Sequence, residues 1–177
     1  MSPFKLSSVM ALVASTLVTP LAFAQPNPSL LHNKKAFIAD LLRQMTLEEK
    51  VGQLRLISIG PEMPAPQLAR EVAAGKVGGT FNSVNRKEQR PLQEAAVKQS
   101  RMRIPIFFAY DVVHGHRTSF PIGLGLASSW DMEAVRKVAR VAAVEASADG
   151  IDITWSPTVD IARDPRWGRT SEGFGED

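Results

Sequence analysis

Cysteine is absent from the 177 residues, which excludes a disulfide framework and any thiolate metal site. By itself this says little about compartment. An excess of one charge is also lacking: 21 Lys and Arg against 18 Asp and Glu leave only +3. The basic residues fall in short pairs such as Lys34 with Lys35 and Arg86 with Lys87, a scatter that gives no electrostatic footprint for nucleic acid. No apolar run reaches the ~20 residues that a membrane-spanning helix requires. No Gly-rich phosphate loop follows an apolar strand, which removes support for nucleotide binding. What is present, 44% hydrophobic residues in a chain of this length, suffices for one globular core.

The first 24 residues carry a separate message. Lys5 precedes an apolar stretch from Val9 to Val18, and Pro20 then leads into Ala22-Phe23-Ala24. A basic start, a short apolar centre and small residues at the end are the layout of a secretory signal peptide. Cleavage before Gln25 is expected, with no membrane contact afterwards. An uncleaved anchor or a buried helix is the competing reading. Residues 25–33, which begin Gln25-Pro26-Asn27-Pro28, read as an extended linker, and residues 34–177 as the folded part.

In the folded part, helical and strand patterns alternate. Ala36, Phe37, Leu41, Leu42 and Met45 recur at helical spacing, which predicts an amphipathic helix over 34–45. Thr46 followed by Glu48 and Glu49 marks a second helix start, with a capping oxygen and carboxylates near the positive end of the dipole. Strands are predicted near 54–59, 77–82, 104–113 and 153–160. Helices are predicted over 66–74 ending at Gly75, over 87–100, and over 132–148 with Asp131 at its start. Short, nearly continuous apolar strands separated by helices indicate a parallel α/β sheet. Four such strands make about the first half of a (β/α)8 TIM-type barrel, whose usual size is ~250 residues. A small doubly wound open sheet is the alternative.

Functional side chains of a parallel barrel sit just past the carboxyl ends of the strands. Two segments in that position are rich in polar groups. In the first, Asp111 follows the apolar run Phe107-Phe108-Ala109-Tyr110. A carboxylate there is costly unless it faces a polar mouth, so it reads either as a substrate contact or as an acceptor of backbone hydrogen bonds in the loop. His114 and His116 have a spacing that can serve a metal, but two imidazoles do not close a site without a third protein ligand. No metal and no cofactor is therefore expected. The second segment places Arg163, Arg166 and Arg169 among Asp164, Glu172, Glu176 and Asp177. Bidentate pairs are expected to stiffen it, with at least one guanidinium left for ligand hydroxyls. Trp167 reads as a plug beneath the loop or as a sugar-stacking platform.

Three stretches resemble the amino-terminal barrel of glycoside hydrolase family 3, in particular its bacterial periplasmic β-glucosidases: MTLEEKVGQL (45–54), IPIFFAYDVVHGHRTSFPIGLGLASSWD (104–131) and WSPTVDIARDPRWGRTSEGFGED (155–177). The resemblance implies a retaining exo-acting β-glucosidase that removes terminal glucose from short β-linked glucosides or oligosaccharides in the periplasm. It also implies that Asp111 and Arg169 bind hydroxyls of the terminal sugar, with Arg117 near the same ring. The physical chemistry is compatible, because a carboxylate accepts hydroxyl donors and a guanidinium offers a fork of donors. In similar proteins a Lys-His pair, the aspartate nucleophile and the glutamate acid/base come after the stretch matched here. Retention needs two carboxyl groups about 5 to 5.5 Å apart, and no catalytic acid, base or nucleophile is assigned within these residues. The rival readings are a β-xylosidase or β-N-acetylhexosaminidase of the same family, or a noncatalytic secreted sugar-binding fragment.

Overall fold

The computed structural model describes residues 28–176. The expected signal peptide and the first residues of the linker lie outside them. Helix α1 spans Pro28–Gln44, so the helix expected from Lys34 starts earlier and takes in part of the stretch read as linker. The chain forms two compact units, and the sheet lies wholly in the second, which begins at Leu41. Among the described residues no helix is long and apolar enough to cross a membrane.

Helix α2 (Leu47–Gln53) begins in the way its sequence requires. Glu49 N donates to Thr46 Oγ1 at 3.2 Å, and Thr46 N donates to Glu49 Oε2 at 2.9 Å. This reciprocal cap satisfies two donors that no helical carbonyl can reach. Arg101 grips the same carboxylate through Nε and Nη2, and Arg101 with the Thr46 amide holds Glu49 below the usual carboxylate range.

Strands β1 (Leu56–Ser58), β2 (Gly79–Phe81), β3 (Phe107–Tyr110) and β4 (Ile153–Thr154) form one parallel sheet in the order β1-β2-β3-β4. Leu56 pairs with Gly79, Gly79 with Phe107, and Ala109 with Ile153. Each new strand is laid outside the last, as in a barrel wall, whereas a doubly wound sheet reverses direction at its first strand. The fold is thus α/β, with four consecutive strands of a (β/α)8 barrel, about its first half. The strands are shorter than the apolar runs that contain them, because a ladder ends where its neighbour stops. Leu54, expected in β1, instead caps α2.

Helices α3 (Ala65–Ala73) and α4 (Arg86–Glu94) cover one face of β1 to β3. Helix α3 ends where predicted: Gly75 takes φ +73, and Lys76 N donates to Glu71 O while Gly75 N donates to Val72 O. That double closure needs a residue free of a Cβ penalty in the left-handed region. Helix α4 passes over Pro91 and widens into a π turn at Ala95–Gln99 instead of running on as a plain helix. Leu68, Val72, Val77, Leu92, Ala95, Ala96, Ile106 and Phe108 form the main core. A full burial of a Leu or Val side chain stabilises by roughly 1.5 to 3 kcal/mol, so this cluster dominates the fold. Short helix α5 (Gly123–Ala127) precedes α6 (Met132–Ala148). Asp131 caps α6 by accepting from Glu133 N and Ala134 N. Ala142 and Ala146 of α6 then form a second cluster with Val112 and Ile151.

Candidate functional site

Parallel strands deliver their last residues to one edge of the sheet. That edge receives Ser58 at the end of β1, Asn82 just past β2, Asp111 just past β3 and the long segment from Trp155 past β4. Asn82 adopts φ +67. Its Nδ2 donates to Ser58 Oγ at 2.9 Å, and its backbone N donates to Ala109 O at 3.3 Å, so it ties the ends of three strands together. Asn is among the few non-glycine residues that accept this backbone region. The sequence reading missed Asn82 as a rim residue, although a polar Asn closing an apolar strand was the available signal.

The segment after β4 is organised by its own ion pairs, as the interleaved arginines and carboxylates suggested. Arg166 forks onto Asp164, with Nε 3.0 Å from Oδ1 and Nη2 2.6 Å from Oδ2. Arg169 donates from Nε and Nη2 to one oxygen, Glu172 Oε2, at 3.0 and 2.6 Å. A 3₁₀ turn over Thr170–Glu172 brings that carboxylate back to Arg169, with Glu172 N donating to Arg169 O at 3.0 Å. Pairing with Arg169 holds Glu172 below the usual carboxylate range. Glu172 in turn secures the charge of Arg169, and Asp160 and Asp111 act in the same direction. Asp111 stands just past β3, and Arg169 lies in the segment after β4. Asp111 is exposed. Trp167 is 37% exposed, which leaves it only partly a plug.

Arg117 has a different place. Its Nε donates to Asp149 Oδ2 at 2.8 Å and its Nη2 to Asp149 Oδ1. The backbone amides of Arg117 and Thr118 both donate to Glu145 Oε2 at 2.9 Å, and Thr118 Oγ1 donates to Glu145 Oε1 at 2.7 Å. Since an ionised carboxylate only accepts, His116 donates from Nε2 to Asp149 Oδ2, at 2.7 Å. Arg117 first and His116 second hold the Asp149 carboxyl down at about 2. These contacts strap the loop after β3 to the end of α6. The Arg117 guanidinium is engaged in that strap rather than with Asp111 and Arg169. His114 lines a cavity of about 260 Å³ with Ser171 and Glu172.

Four consecutive parallel strands with polar residues past their carboxyl ends define part of a (β/α)8 barrel. Residues 46–177 match the glycosyl hydrolase family 3 N terminal domain, and the chain belongs to that family. It is 57% identical over 144 residues to the periplasmic beta-glucosidase of Salmonella typhimurium, a match covering 81% of this chain and 19% of that protein. A putative beta-xylosidase of Formosa agariphila is 31% identical over 157 residues, covering 77% of this chain and 21% of that protein. Among solved structures, the beta-glucosidase of Listeria innocua in complex with glucose superposes with a TM-score of 0.71 at 39% identity, over 81% of this chain and 22% of that one. The chain thus spans about a fifth of the length of these relatives.

Proposed function

We propose that this chain supplies the first half of the barrel, and part of the terminal-sugar subsite, of a retaining exo-acting β-glucosidase working on short β-linked glucosides after export to the periplasm. What supports the reading is the placement of Asp111 just past β3 and of Arg169 in the segment after β4, both beyond the carboxyl ends of parallel strands. Asp111 accepts two sugar hydroxyls, and the guanidinium of Arg169 donates to a neighbouring oxygen. Such a grip fixes the ring but breaks no bond. The attacking carboxylate and the one that protonates the leaving oxygen come from outside residues 28–176, as does the rest of the barrel wall. The identity to a periplasmic beta-glucosidase supports glucose as the sugar and the periplasm as the place.

The test joins the full chain to the remaining length of the Salmonella relative, in place of the segment it matches at 57% identity, and measures hydrolysis of aryl β-glucoside, β-xyloside and β-N-acetylglucosaminide. Preference for the glucoside is expected. Asp111→Asn keeps the loop shape and removes charge-assisted hydrogen bonds, so kcat/KM should fall by about 10- to 150-fold with an unchanged melting temperature. An unchanged kcat/KM, or a collapse of the melting temperature, returns Asp111 to a structural role. Preference for the xyloside or the hexosaminide overturns the choice of sugar.

A further inference from the structure

We propose that Glu172 is a positioning residue that brackets Arg169, fixing the guanidinium so that its Nη1 edge stays open to the sugar; the inference rests on the sugar-binding reading of Arg169. Two observations carry it. First, both contacts from Arg169 go to the same oxygen, Glu172 Oε2. They use the Nε edge of the guanidinium and leave both Nη1 donors and the second Nη2 donor for another acceptor. Second, the bracket is itself braced. Thr170 Oγ1 donates to Trp167 O at 2.7 Å, Glu172 N donates to Arg169 O at 3.0 Å, and on the far side Gly123 packs so closely that a Cβ there would lie 2.9 Å from Glu172 O.

A guanidinium released by Glu172 would be spread over many rotamers instead of being held in one. The Arg169–Glu172 pair is also open to solvent, with side chains 63% and 34% exposed, and pairs this open add little to stability. A structural role therefore predicts almost no phenotype for its loss. A positioning role predicts a loss of sugar binding without a loss of fold.

In the same extended chain, Glu172→Gln should raise KM by about tenfold with a smaller change in kcat, because one charge-assisted contact to the ring is misplaced in ground and transition state alike. The melting temperature should stay where it was. Glu172→Asp, which keeps the charge on a shorter arm, should recover part of the loss. In an Arg169→Met background Glu172→Gln should cost nothing further, since the bracket then has nothing to hold. A strong effect of Arg169→Met beside a silent Glu172→Gln overturns this inference alone. So does a Glu172→Gln effect of equal size in both backgrounds. A silent Arg169→Met overturns the sugar-binding reading of Arg169 and this inference with it.

Discussion

Two glycines in the five-residue helix α5 should respond to alanine in opposite directions. Neither falls in the left-handed region, so the objection to a side chain is space alone. At Gly123 a Cβ would lie 2.6 Å from Gly173 O and 2.9 Å from Glu172 O. Ordinary contact begins near 3.4 Å, so the Glu172–Gly173 peptide would have to recede by about 0.8 Å, and backbone gives way less readily than the tip of a side chain. Overpacking of this kind costs typically about 1 to 3 kcal/mol. The displaced peptide also carries the carboxylate that holds Arg169, and a misplacement near 1 Å can lower a rate by about 100-fold. At Gly125 the nearest atom to a Cβ is Pro121 Cβ at 3.5 Å, an ordinary contact. There alanine should stabilise by about 0.5 to 1 kcal/mol through the lost freedom of the unfolded chain. The assay is thermal unfolding and kcat/KM of Gly123→Ala and Gly125→Ala in the extended chain. If Gly123→Ala behaves like Gly125→Ala, the packing of α5 against the 3₁₀ turn does not position the site.

Two further outcomes are expected. The strap at Asp149 depends on pH: its carboxyl lies at about 2 in the folded chain against an ordinary 3.8, so the unfolded chain takes up the proton first. Its stabilisation is complete above the ordinary value and is lost as the pH falls through 3.8 towards 2. The gap in melting temperature between the parent and Asp149→Asn should close across that window, and a gap that persists at the lower end would refute the sign. Residues 25–177 alone should associate rather than give a protected monomer, because among the described residues β1 and β4 each have one unpaired edge and Leu56, Ile153 and Trp155 are 38%, 36% and 48% exposed. Size exclusion and hydrogen exchange decide this, and the same material should leave an aryl β-glucoside intact.

The local signals were legible wherever one residue's chemistry settles one backbone state. Thr46 with Glu49, Asp131 and Gly75 mark helix ends in the structure at the residues where they stand in the sequence. Alternation of apolar runs and helical periods fixed the class of the fold as well. Less legible was everything set by pairing across space. Strand lengths depend on where the neighbouring strand stops, so the run from Ile104 to Val113 contributes only Phe107–Tyr110. Helix α5 carries two glycines in five residues and was not anticipated, since glycine is a poor helix former and its reason for being there is the turn packed against Gly123.

The candidate site divides along the same line. The amino-acid sequence by itself determined the class and the family resemblance, and it offered Asp111 and Arg169 as candidate groups. It also supplied three arginines and several carboxylates without saying which would pair, because ion pairs depend on side chains meeting within about 4 Å and sequence spacing leaves many such meetings open. Only the tertiary structure decided that Arg166 closes on Asp164, that Arg169 closes on Glu172, and that Arg117 goes to Asp149 at the end of α6. A guanidinium is the same donor fork wherever it stands in the chain. What it serves is settled by the carboxylate that the packing of helices and strands carries to it.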